Sequence, residues 1–68
     1  MRTFIIAYLS HFEDELIMTK VNASMPEYAL QEFLESQGWD MSECSCNTVE
    51  DYEIFARNCD SNIGIMEI

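Results

Sequence analysis

The chain predicts an α+β fold: a three-stranded antiparallel sheet with one or two helices on one face, in the order β-β-α-α-β. Three observations point to it. Residues 3–9 are β-branched, aromatic or aliphatic on both alternating faces, which suits a strand covered on both sides. Residues 24–36 carry a helix-start signal and a stripe of apolar residues at helical spacing. A second short apolar run at residues 63–68 closes the chain.

Each element follows in turn. In the first strand Phe4, Ile6 and Tyr8 share one face, and Ile5, Ala7 and Leu9 the other. Residues 10–15 are polar apart from Phe12 and read as a turn. Residues 16–23 form the second strand, with Ile17, Val21 and Ala23 on one side and Leu16, Met18 and Lys20 on the other. The two strands pair as an antiparallel hairpin. Ser24 and Glu27 stand at capping-box spacing, with Pro26 in the first turn. Ala29, Leu30, Phe33 and Leu34 then form the buried stripe, leaving Glu32, Glu35 and Ser36 to water. Gly38 is placed for a left-handed C-cap, with Trp39 folding back.

Residues 40–47 read as a loop. Residues 48–58 fit two patterns. Val49, Tyr52, Phe55, Ala56 and Cys59 make a helical stripe, while Tyr52, Ile54 and Ala56 also fit one face of a strand. Thr48 followed by Asp51 favours the helix. Residues 60–62 read as a turn before the last strand, which is apolar on both faces apart from Gly64 and Glu67. Helices on one side only leave the second apolar sheet face to be covered from outside the chain. A homodimer through that open face is the expected solution.

Composition narrows the function. Among 68 residues, 13 Asp and Glu oppose 3 Lys and Arg, for a formal net charge of −10. That balance opposes direct nucleic-acid binding. Hydrophobic residues are 49% of the chain, enough for a folded core rather than disorder. The 68 residues are expected to form one domain, with no membrane span. No secretory leader is read at the start, so a reduced, cytoplasmic setting is expected. Cys44, Cys46 and Cys59 do not match a zinc spacing, even with His11 added, and no metal or cofactor is expected. Cys59 reads as a small core residue, with a cross-link to Cys44 or Cys46 as the alternative. His11 beside acids reads as a turn residue rather than a general base, and so small a chain has little room for a substrate pocket. The chain is not expected to be an enzyme.

The carboxylates are the remaining functional signal. Glu13, Asp14 and Glu15 cluster on the hairpin turn. Glu32, Glu35, Asp40 and Glu43 lie on or after the wet side of the first helix, and Glu50, Asp51 and Glu53 open the second. Rows of carboxylates on a rigid surface occupy a basic groove in place of phosphate and speed association. The same acids also serve solubility. These residues are the candidate partner-binding set, and the expected partner is a protein with a basic surface.

The stretch from Thr19 to Leu30 resembles a pattern in small phage and bacterial proteins. There a strand ending like Val21, Ala23 and Ser24 runs into a capped helix opening like Glu27-Tyr28-Ala29-Leu30. The resemblance covers about half the chain with the first strand and implies a β-β-α core. In its small, acidic, methionine-containing character the chain also resembles bacteriophage early or accessory proteins. That likeness implies a phage-encoded inhibitor or regulator in the host cytoplasm, docked on a host protein that binds nucleic acid or serves in defence. The alternative is a structural or assembly subunit that uses the apolar sheet face.

Overall fold

The computed structural model describes residues 1–11, 14–41 and 45–68. Its elements are β1 (Arg2–Ser10), β2 (Glu15–Ala23), α1 (Pro26–Ser36), α2 (Val49–Asn58) and β3 (Ser61–Glu67). The strands form one antiparallel sheet in the order β2-β1-β3. The fold is therefore α+β in the expected order, and residues 48–58 contain a helix rather than a strand.

Strand β1 is central, and its alternation decides which side the helices cover. Phe4, Ile6, Tyr8 and Ser10 are buried, while Ile5, Ala7 and Leu9 are only half-buried. Cross-strand partners share a face, so Val21, Thr19 and Ile17 of β2 and Ile65 and Ile63 of β3 lie on the helix side with them. Onto this side α1 brings Ala29, Leu30, Phe33 and Leu34, and α2 brings Tyr52 and Ala56. An aromatic chain ties the layers. Tyr8 meets Phe33 edge-on at 5.5 Å and Trp39 at 6.1 Å, and Trp39 meets Phe55 at 5.4 Å.

The helix ends show where local signals held. Gly38 has φ +89, and its N–H reaches the Glu35 carbonyl while the Trp39 N–H reaches that of Leu34. This is a Schellman closure, and only glycine adopts such a φ at low cost. Helix α2 has a full capping box: Thr48 Oγ1 accepts from the Asp51 N–H, and Asp51 Oδ2 accepts from the Thr48 N–H.

Three local expectations are corrected. The Ser24–Glu27 capping box does not form. Strand β2 ends at Ala23 as expected, but the helix starts one residue later, with Met25 as a cap lacking a side-chain bond. Glu27 thereby falls at the second helical position rather than the third, where a capping box needs its acid. The turn before β3 is tighter than expected. Cys59 and Asp60 make it, the latter at φ 57, and Ser61 and Asn62 already pair with Ser10 and Leu9. Tyr8 Oη at 3.2 Å from Ser61 Oγ favours that early pairing. Cys59 is an exposed, free thiol rather than a core residue, because α2 ends at Asn58 and leaves it at the cap.

Candidate functional site

Charge is sorted between the two sides of the sheet. The face away from the helices is built in rows across β2, β1 and β3: Lys20–Ile5–Met66, Met18–Ala7–Gly64 and Leu16–Leu9–Asn62. The Asn22–Thr3 pair lies at one end. None of these ladder positions carries a carboxylate, and Lys20 is the one charge among them. Leu16, Met18 and Met66 are between 62% and 66% exposed, far more than side chains of a covered sheet.

The carboxylates stand on the helical side and at the turns. Glu32, Glu35 and Glu50 are exposed, and Glu53 is half-buried. Glu35 accepts from Gln31 Nε2 at 3.2 Å. Glu32 and Glu35 border a shallow groove with Tyr28 and Gln31. Asp40 is exposed in the segment after α1, and Asp14 and Glu15 are exposed at the hairpin turn. Glu15 lies opposite Ser10, hence on the helix side. Asp51 has a structural task as well. Its Oδ2 also accepts from the Asn47 N–H at 3.0 Å, and this bond, with those to Thr48, holds its carboxyl below the usual range. Glu13 and Glu43, and with them Cys44, lie outside the described residues.

Glu27 belongs to this side although it carries no sequence signal beyond its place in a capping box. It lines a cleft of about 280 Å³ with Met25, Tyr28, Gln31, Asn47 and Tyr52. Its Oε2 is buried and lacks a hydrogen-bond partner. Burial, then the fields of Glu27, Glu35 and Asp51, push the Tyr52 phenol above its ordinary value. Acids from two helices thus act on one hydroxyl, which reaches Gln31 Oε1 at 3.4 Å. The packing of α1 on α2 makes this convergence, which periodicity does not reveal.

The bases are few and partly engaged. Arg2 donates through Nε and Nη2 to Glu67 at 2.8 and 2.7 Å, and its guanidinium lies 5.2 Å from the Phe4 ring centre. The pair raises the Arg2 pKa and lowers that of Glu67. His11 is placed by its own N–H on the Asp60 carbonyl and by Asn62 Nδ2 at 2.6 Å from its Nε2. Among the described residues no three His, Cys, Asp or Glu side chains converge as a metal would require. No helix of the described residues is long and apolar enough to cross a membrane.

No family model, curated protein or solved structure matches the chain.

Proposed function

We propose that this chain is a small binding protein that docks through the carboxylates of its helical side on the basic surface of a nucleic-acid-binding protein, and so inhibits or regulates it. The observation that carries the reading is the segregation of charge. A purely solubilising charge needs no sidedness, whereas here the described ladder positions of the open sheet face bear no carboxylate and the helical side bears Glu32, Glu35, Glu50 and Glu53. Helices fixed by a Schellman closure and a capping box hold those acids on a rigid frame, which lowers the ordering cost of binding. The resemblance to phage accessory proteins makes a host protein the natural partner. The chain acts by occupancy rather than by catalysis.

The experiment is capture of DNA-binding proteins from a bacterial lysate, comparing wild type with Glu32→Lys, Glu35→Lys and Glu50→Lys combined. The reading expects the wild type to hold a partner that added duplex DNA displaces, and the reversed variant to lose it. A partner that survives the charge reversals and ignores DNA contradicts it. The second reading, an assembly subunit, is favoured by exposed Leu16, Met18 and Met66. Ile6 and Tyr8 face the helices, so Ala7 and Met18 are the positions that probe it.

A further inference from the structure

The open sheet face has a shape as well as a polarity. In its central row a long Met18 and a small Ala7 stand beside Gly64, which has no side chain. A Cβ built at Gly64 would meet nothing within 4 Å, so the space above it is open. The face is high on the β2 side and hollow over Ala7 and Gly64.

We propose that this face is the interface of a symmetric homodimer, sheet on sheet, in which Met18 of each copy fills the hollow over Gly64 of the other. The register generates the fit. A two-fold axis running along β1, midway between the sheets, carries β2 of one copy over β3 of the other and leaves height along the strands unchanged. Met18 and Gly64 are in the same row, both opposite Ala7, so Met18 arrives over the partner's Gly64, and the contact occurs twice. By the same operation Lys20 arrives over the partner's Met66. Its methylene stem covers that side chain while the ammonium reaches the rim.

The matched hollow and the placing of the carboxylates favour a second copy as the occupant. A copy with a net charge of −10 repels another wherever carboxylates meet, and this face, whose described ladder positions carry none, is where two copies approach with the helical sides pointing away. At ordinary strand and residue spacings the face has a footprint of about 400 Å² per copy. Two such faces bury at most about 800 Å² in total, below the range of stable specific interfaces, so the association is weak and concentration-dependent. The inference does not rest on the acidic-face reading, and salt separates the two. Screening weakens carboxylate docking on a basic partner but relieves repulsion between like-charged copies.

Sedimentation velocity over a concentration series tests it. Wild type is expected to pass from one chain mass to two, at lower concentration as salt rises. Met18→Glu is expected to stay monomeric. Gly64→Met is the sharper variant. It adds apolar surface and should fold, since its site is open, yet it fills the hollow and should weaken the dimer by at least about tenfold. Circular dichroism confirms that both variants are folded. A wild type monomeric at every concentration overturns the proposal. So does a folded Gly64→Met that associates as tightly as wild type.

Discussion

Thr48 and Asp51 cap each other: the Thr48 hydroxyl takes the Asp51 N–H at 3.1 Å, and the Asp51 carboxylate takes the Thr48 N–H at 3.2 Å. Ser24 and Glu27 have the same spacing and do not cap α1. The two sites form a matched comparison. Thr48→Ala should cost about 1 kcal/mol in urea unfolding, whereas Ser24→Ala should stay within about 0.5 kcal/mol. Equal losses at both would show that the cap geometry assigned here is wrong.

The same cap sets an acid limit. Hydrogen bonds from Asn47 and Thr48 lower the folded-state pKa of Asp51, and Arg2 lowers that of Glu67. Stability from a depressed carboxyl is complete above its unfolded pKa, near 4, and is lost as pH falls through the folded value. Helical circular dichroism should therefore decline below about pH 4, and Asp51→Asn should flatten that decline. An unchanged acid profile in Asp51→Asn would count against the cap as its source.

At the alkaline end Tyr52 decides. Its pKa is raised by burial first and by Glu27, Glu35 and Asp51 after it. A raised pKa means the folded state keeps the proton longer, so stability is complete below the unfolded value of 10.0 and falls as pH rises through the folded one. Ultraviolet titration of the 3 tyrosines should show a late component. Tyr52→Phe should remove it. A late component that persists in Tyr52→Phe refutes the assignment.

Asp60 turns the chain from α2 into β3 at φ 57, a left-handed conformation that Asp tolerates and β-branched residues do not. Asp60→Val should cost about 1–2 kcal/mol, and Asp60→Gly should cost little or stabilise. The single tryptophan, Trp39, packed between Tyr8 and Phe55, gives a fluorescence signal for both measurements.

Much of this fold can be read in the sequence because its apolar patterns are clean. Phe4, Ile6 and Tyr8 alternate without a break, and Ala29, Leu30, Phe33 and Leu34 keep helical spacing. Residues 48–58 fitted two periods because Tyr52, Ile54 and Ala56 alternate. The structure buries Tyr52 and Ala56 and leaves Ile54 exposed, which a single strand face would not do. The start of β3 is not legible because it depends on a tertiary contact, Tyr8 meeting Ser61. The acids themselves are visible in the sequence, but the grouping of Glu27, Glu35 and Asp51 around Tyr52 exists only once the helices pack.

If carboxylates on the helical side make the functional contact, capture of the partner must respond to salt. Bound protein should be retained at ~50 mM salt and released by ~500 mM, where the screening length falls to about 4 Å. Capture should be intact in Met18→Glu and absent when Glu32, Glu35 and Glu50 are reversed to lysine. A partner held through high salt, and lost instead in Met18→Glu, would contradict the claim and move the functional contact to the sheet face.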